Sequence, residues 1–427
     1  MSTTANTRTI FFSGIGGIGM SALAQLMKEK GDRVSGSDRS DSPVAELLRE
    51  KGIDVVIGQE AKNITEDTNL LVYSAAVPED NPERVRAQEL GIPELSYFAA
   101  LGQISGEYRT VAVAGTHGKT TTTGMLAAIL KDAGASPTAV VGSIVQDFGS
   151  NYLGGTSDLF IVEACEYQRH FLELSPEVLV ITNLEFDHSD YYQDLADVQD
   201  AFRALIEKVP AHGAVITDAE HPSIAPLLEN IAPRVIDYTK EPEYPLMLPG
   251  EFNAHNAKAA AAASRVVMPE LHTALINRSL ESFRGTWRRF EYKGTHNGAT
   301  VYDDYAHHPT AIKETLRALR EKTEGRIFVA FHPHLFSRTR DLLDGFARAF
   351  ADADEVLIAP IFAAREVNDG TVSSELVAER VRAEGVSARA LTFESIEDVL
   401  RTEPKEGDVI MTMGAGDIYK VANALVA

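Results

Sequence analysis

The residues best placed to do chemistry are Gly115, Thr116, His117, Gly118, Lys119, Thr120 and Thr121, in the run Ala114-Gly115-Thr116-His117-Gly118-Lys119-Thr120-Thr121. The run follows an apolar strand pattern and opens a helical one. It departs from G-x-x-x-x-G-K-[ST] only at its first glycine, where Val113 stands. In that frame backbone N–H groups cradle phosphate oxygens, a lysine neutralises the β and γ charge, and a threonine hydroxyl reaches Mg²⁺. Glu163 ends the apolar stretch Leu159-Phe160-Ile161-Val162, and a carboxylate at that strand edge is placed to share the cation. His188 lies just beyond another strand, in Asn183-Leu184-Glu185-Phe186-Asp187-His188. Acceptor groups from two strand ends beside a phosphate loop point to phosphoryl chemistry.

A second glycine loop comes earlier. Gly14-Ile15-Gly16-Gly17-Ile18-Gly19 fits G-x-G-x-x-G between a strand and a helix, and Asp38 closes the next strand about 20 residues on. Taken alone, this block reads as a dinucleotide site, although the pattern does not say which nucleotide diphosphate it holds. Further along, Asp303-Asp304-Tyr305-Ala306-His307-His308-Pro309-Thr310 follows a strand. Consecutive residues on one turn seldom converge on a metal, so we read it as a polar loop contacting a nucleotide or acidic substrate. Thr310 is expected to cap the next helix, with Glu314 in its first turn. His332-Pro333-His334 with Arg338 and Arg340 forms a basic cluster suited to an anionic ligand. Gly414-Ala415-Gly416 is a strand-to-helix turn that packing alone explains.

The elements that must carry these residues alternate short β-branched runs with longer helical patterns, which predicts βαβ units and mostly parallel sheets. Strands are expected at Thr9–Phe12, Arg33–Gly36, Asp54–Ile57 and Asn69–Ser74. A second set follows at Thr110–Ala114, Leu159–Glu163 and Val178–Thr182, with an alanine-rich helix over Asn253–Val267. A third set covers Thr300–Asp303, Arg326–Phe331, Glu355–Ala359 and Asp408–Thr412. The polar segment Gly102–Tyr108 reads as one boundary and Phe283–Gly285 as another. The expected fold is α/β, with three domains in series. They are a Rossmann-like domain over 1–105, a central P-loop ATPase-type domain over 106–284 and a C-terminal Rossmann-like domain over 285–427.

The composition bounds the rest. The chain has 427 residues, 44% hydrophobic and 24% charged, with a formal net charge of -22. A strongly acidic surface gains no attraction to nucleic acid or anionic lipid, so neither is an expected partner. No apolar run reaches the ~18–20 residues that span a bilayer. The polar N-terminus lacks a signal-peptide core. The single cysteine, Cys165, excludes an intramolecular disulfide and reads as a small buried apolar residue. A cytoplasmic protein, monomeric or homodimeric, is the expectation.

Together these motifs resemble the Mur ligase family. The match consists of the glycine loop, the Gly-Thr-His-Gly-Lys-Thr loop, strand-end Glu163, the Asn183 to His188 turn, the helix containing Asn253 and Asn256, and the Asp303 to Thr310 turn. Within the family, Gly14 to Ala24 is most similar to members that act on UDP-N-acetylmuramate and L-alanine. The resemblance implies that ATP phosphorylates the lactyl carboxylate of UDP-N-acetylmuramate. The amine of L-alanine then attacks the acyl phosphate, in peptidoglycan precursor synthesis. It implies Lys119 on the β- and γ-phosphates, Thr120 and Glu163 on one Mg²⁺, and His188 on a second ion. Asn253 and Asn256 would reach adenine, and Arg289 and Asp304 would close over the nucleotide. His307, His334 and Arg338 would line the amino-acid side, with Arg338 for the alanine carboxylate. Gly14, Gly16, Gly17, Ile18, Gly19, Asp38 and Ser74 would hold UDP. The chain departs from the family pattern at Cys165, Tyr167 and Gln168, at Phe252, and at Leu335 after His334.

Three other readings compete. A ligase that re-attaches a recycled tripeptide to UDP-N-acetylmuramate shares the fold and much of the Asp303 to Thr310 turn. A nicotinamide-dependent dehydrogenase fused to an ATPase explains Gly14 to Gly19 and Asp38 but leaves the third domain idle. A non-catalytic nucleotide sensor would bind without sustained ADP release.

Overall fold

A computed structural model describes residues 7–364, 366–368 and 370–427. It contains three sheets, one after another along the chain. The first has five parallel strands, in spatial order Asp54–Ile57, Arg33–Asp38, Thr9–Ser13, Leu70–Tyr73, Glu94–Ser96. The second has seven, in the order Arg234–Asp237, Ala214–Thr217, Val178–Ile181, Arg109–Ala114, Leu159–Glu163, Thr138–Val145, Ser150–Leu153. The third has six, in the order Glu291–His296, Ala299–Asp304, Val409–Met413, Ile327–Phe331, Glu355–Ile358, Ser387–Ala390. Among the described residues, the strand pairs are parallel except the two edge pairs, Thr138–Val145 with Ser150–Leu153 and Glu291–His296 with Ala299–Asp304, which are antiparallel.

The expected α/β architecture of three units in series is borne out. Central strands such as Val178–Ile181 and Ile327–Phe331 are buried throughout, as strands covered by helices on both faces must be. In the middle unit the helix Lys119–Asp132 is buried from Thr120 to Leu130. The helix Glu251–Val267 shares its apolar core, and its alanines at 257 and 259–263 let the two helix backbones approach closely. Seven strands went unanticipated: Glu94–Ser96, Thr138–Val145, Ser150–Leu153, Ala214–Thr217, Arg234–Asp237, Glu291–His296 and Ser387–Ala390.

Two local expectations are corrected. Gly102 to Ser105, read as part of a polar boundary segment, is not irregular chain but the end of the helix Tyr97–Ser105, capped by Ser96, whose Oγ accepts from Ala99 N at 3.1 Å. Gly102 is there because a Cβ would lie 2.5 Å from the carbonyl oxygen of Glu173, so close packing explains the glycine. Thr310 is not a helix cap either. The helix is Pro309–Arg320, with His308 as its cap, accepting from Thr310 N at 3.3 Å, and no acid in the first turn. Proline suits the first helical position, so the cap falls one residue before it.

Helix Ile18–Glu29 docks the first unit onto the second. Asn151 Nδ2 donates to the Ile18 carbonyl and, at 3.0 Å, to Ser21 Oγ. Tyr152 Oη donates to Glu29 Oε2 at 2.8 Å.

Candidate functional site

The strand Arg109–Ala114 delivers the chain into the phosphate loop, and Gly118 caps the following helix at φ 80°. The loop allows no side chain at its glycines. A Cβ on Gly115 would lie 2.0 Å from Thr182 Oγ1, and one on Gly118 would lie 2.2 Å from Asn256 Oδ1. Neighbouring strand ends hold the loop. His117 N donates to Asn183 Oδ1 at 2.8 Å, and Thr182 Oγ1 donates to the His117 carbonyl at 2.5 Å.

Lys119 is turned inward. Its Nζ donates to the carbonyls of Gly115 at 2.7 Å and Thr116 at 3.1 Å, and pairs with Glu166 at 2.9 Å. Burial works against its charge, but Glu166, Cys165 and Glu163 outweigh it, so its pKa is raised. Glu166 is 4% exposed and also meets His188, Nε2 to Oε1 at 3.3 Å. Burial opposes its charge as well, yet Lys119 and His188 hold its carboxyl below the usual range.

Thr120 and Glu163 come together as expected: Thr120 Oγ1 donates to Glu163 Oε1 at 3.0 Å. The other carboxylate oxygen accepts from Gly142 N at 2.7 Å. Arg289, from the third unit, reaches Thr120 Oγ1 through Nη2 at 3.3 Å. Two oxygen donors side by side suit a hard cation such as Mg²⁺. His188 sits at φ 57° and holds a buried Nδ1 with no hydrogen-bond partner.

The helix Glu251–Val267 presents Asn253 and Asn256. Asn256 Nδ2 donates to Asn253 Oδ1 at 3.3 Å, and Thr122 Oγ1 donates to Asn256 Oδ1 at 3.2 Å, tying both to the loop's own helix. Phe252 packs against the core of the third unit.

The third unit contributes strand ends that face this loop. Asp304 accepts from Phe290 N and Ala306 N, each at 2.6 Å. Burial raises its carboxyl to about 6 against the pull of Arg289. His307 Nδ1 lies 2.9 Å from the Tyr305 carbonyl, which fixes Nδ1 as the protonated nitrogen. Burial first, then Arg338, holds its pKa well below the ordinary value. Arg338 is 4% exposed and gives Nε at 3.1 Å and Nη2 at 2.8 Å to Asp187 Oδ1. Its Nη1 lies 3.0 Å from His334 Nδ1.

Most of these groups line one cavity of about 900 Å³ between the middle and third units. It contains Gly118, Lys119, Thr120, Thr121, Glu163, His188, Asn253, Asn256, Arg289, Asp304, His307, His334 and Arg338. Of the first unit's expected residues only Ile18 reaches its wall. Gly14, at φ 80°, and Ile15 donate to the Ser37 carbonyl at 2.9 Å each. Asp38 Oδ2 accepts from Gly16 N at 2.8 Å, so the acid braces the glycine loop itself. Gly19 leaves room for Tyr97, whose ring carbon would be 2.6 Å from a Cβ there, and Ser74 Oγ accepts from Ala76 N at 3.3 Å.

Sequence reasoning missed Glu166, Glu185, Asp187 and Arg288. Arg288 is buried and fastens the Gly414 turn, donating to Asp303 Oδ2 at 2.8 Å and to the carbonyls of Gly414 at 2.6 Å and Gly416 at 2.9 Å. Cys165, expected in a core, lines the cavity with intermediate exposure. Burial and then Glu166 push its thiol up to about 12, so it is neutral and no nucleophile near neutral pH.

Comparison with known proteins places this geometry. Residues 9–109 match the Mur ligase family catalytic domain, 113–245 the Mur ligase middle domain, and 288–416 the Mur ligase glutamate ligase domain. The chain is 38% identical to UDP-N-acetylmuramate--L-alanine ligase of Clostridium acetobutylicum, over 99% of this chain and 98% of the relative. It is 39% identical to the protein of that name from Acetivibrio thermocellus, over 96% and 94%. Among solved structures it is similar to UDP-N-acetylmuramate-alanine ligase from Thermotoga maritima, at 30% identity and TM-score 0.79, covering 98% of both chains. It is also similar to a murein peptide ligase from Psychrobacter arcticus, at 25% identity and TM-score 0.73, covering 98% of this chain and 100% of that one. The resemblance carried by the motifs is borne out, and the chain belongs to the Mur ligase family.

Proposed function

We propose that this enzyme joins L-alanine to the lactyl carboxylate of UDP-N-acetylmuramate at the expense of ATP, in peptidoglycan precursor synthesis. The observation that carries the reading is the meeting, at one cavity, of Lys119, the Thr120–Glu163 oxygen pair, His188, and Arg289 and Asp304 from the third unit. The full-length likeness to ligases bearing that name supports the substrates.

The substrate carboxylate attacks the γ-phosphorus of ATP, and ADP leaves. The alanine amine then attacks the acyl carbon, phosphate leaves with the acyl C–O bond broken, and the amine's proton is released. Such chemistry depends on positioning and charge neutralisation. Lys119 would exchange the Gly115 and Thr116 carbonyls for β- and γ-phosphate oxygens, within the cradle of Gly115, Thr116, His117, Gly118 and Thr121. Asn253 and Asn256 would meet adenine, and Arg289 and Asp304 would close over the nucleotide. Thr120 and Glu163 fit one Mg²⁺, and His188 a second. A bound cation supplies neutralisation of charge on the phosphoryl oxygens. His307, with Nδ1–H given to Tyr305, offers Nε2 as an acceptor to the incoming amine. His334 and Arg338 would line the amino-acid side, with Arg338 already balanced by Asp187.

Gly14, Gly16, Gly17, Ile18, Gly19, Asp38 and Ser74 would hold the UDP moiety. We place the domain divisions at 105/106 and 284/285 and expect a cytoplasmic monomer or homodimer. Among the described residues no helix is long and apolar enough to cross a membrane.

The test is phosphate release from Mg-ATP by purified protein. Release that needs both UDP-N-acetylmuramate and L-alanine is the expected result. Release only when a tripeptide replaces alanine would move the chain to the recycling reaction, and none with either acceptor would overturn the reading.

A further inference from the structure

A second group of donors converges where the phosphate loop meets the third unit, separate from Thr120 and Glu163. His117, Glu185 and His308 each present one ligand atom, and these atoms all lie within 4.8 Å of one another. His117 Nε2 is 3.5 Å and His308 Nδ1 3.9 Å from Glu185 Oε2, both longer than a working hydrogen bond. The two rings are tilted by 42° with centroids 4.9 Å apart. Nε2 of His117 and Nε2 of His308 are buried with no hydrogen-bond partner. Leaving buried nitrogens unmatched is unfavourable, and native structures normally supply a ligand, water or ion.

The three groups are held in place by their surroundings. Thr116 Oγ1 accepts from Glu185 N at 2.9 Å and donates to the Glu185 carbonyl at 3.2 Å, while His117 N is held by Asn183. Thr310 Oγ1 donates to Glu185 Oε2 at 2.8 Å, orienting the carboxylate as the outer partners of metal ligands do. The donor chemistry sorts the cation. Two imidazoles and one carboxylate suit zinc and its neighbours, which accept three protein ligands with water in a fourth position. Mg²⁺ prefers an all-oxygen shell, as Thr120 and Glu163 offer.

We propose that His117, Glu185 and His308 form a binding site for a transition-metal dication of the zinc class, which pins the phosphate loop to the third unit. His117 and Glu185 belong to the middle unit and His308 begins a helix of the third, so a shared ion ties the two together.

The test titrates chelator-treated full-length protein with Co²⁺ and follows the visible absorption of four-coordinate cobalt. One equivalent is expected to give the band, and Zn²⁺ to abolish it. His308→Ala and Glu185→Gln should each weaken binding at least about tenfold. The band should persist in His188→Ala and in Glu163→Gln, which separates this site from the magnesium positions. Zn²⁺ should also raise the unfolding midpoint of the wild type and leave that of Glu185→Gln unmoved; His117→Asn gives the same reading if His308→Ala does not fold. No band in the wild type, a band unchanged in both ligand variants, or one lost with His188→Ala would overturn the proposal.

Discussion

Arg338 of the third unit and Asp187 of the middle unit form a buried ion pair, with Nε at 3.1 Å and Nη2 at 2.8 Å on the same carboxylate oxygen. The residues are 4% and 7% exposed, so neither charge is screened by water. The pair is a clasp between two units that must also surround their ligands.

Removing one partner strands the other charge. Arg338→Ala is expected to destabilise the protein by about 3–5 kcal/mol, whereas Arg338→Met combined with Asp187→Leu should recover most of that loss. Burial opposes the Asp187 charge, but Arg338, with His188, His307 and His308, holds its carboxyl well below the usual value. A depressed folded value gives stability that is present above the unfolded value of about 3.9 and is lost as pH falls through the folded one. In Arg338→Ala the stranded carboxylate, freed from that pull, takes up a proton more readily, so the gap to wild type, measured by denaturant unfolding, should narrow as pH falls.

Lys119→Ala should leave the fold intact and lower ligation by on the order of 10²–10³, or more, because charge neutralisation at the phosphates is lost. Near-normal phosphate release from a folded variant would remove Lys119 from its assigned place.

His188→Ala should impair catalysis more than folding. Its side chain meets Glu166 at 3.3 Å, and Glu166 keeps Lys119 as a partner without it. An unchanged kcat with an unchanged Mg²⁺ dependence would contradict a metal-holding role.

Asp304 titrates in the opposite sense from Asp187. Its folded value of about 6 lies above the unfolded one, so the folded state holds an extra proton and loses stability as pH rises through that window. Between pH 5 and 7.5 the wild type should lose about 1 kcal/mol through this group. Asp304→Asn has no such term, so its stability deficit relative to wild type should shrink by that amount over the same range.

Gly118→Ala tests the loop's geometry. The residue has φ 80°, which costs an L side chain roughly 1–2 kcal/mol, and its Cβ would strike Asn256 Oδ1. We expect weaker nucleotide binding by calorimetry with little change in UDP-sugar binding.

The sequence made Lys119, Thr120, Glu163 and His188 legible because each stands at the end of a strand in a local motif. Glu166 was hidden because its partners Lys119 and His188 lie 47 and 22 positions away, and nothing in Cys165-Glu166-Tyr167 marks it. Asp187 and Arg338 are separated by 151 positions, and only the packing of two units reveals them as a pair. His117, Glu185 and His308 come from three separate stretches of chain, so only the fold shows that their ligand atoms lie within 4.8 Å of one another. Most of the missed strands are short or lie at sheet edges, where alternation is weak: Glu94–Ser96 has three residues, and the solvent-facing Arg234–Asp237 carries charge at both ends, whereas Thr138–Val145 is an eight-residue interior strand.

The inward turn of Lys119 has a consequence for energetics. With the Gly115 and Thr116 carbonyls and Glu166 as partners, the Lys119 ammonium has its three hydrogens matched by acceptors of the chain itself. An arriving polyanion substitutes for contacts already made. The contribution of Lys119 to affinity is then a difference between two sets of partners, and counting its phosphate contacts alone would overstate the tightness of nucleotide binding.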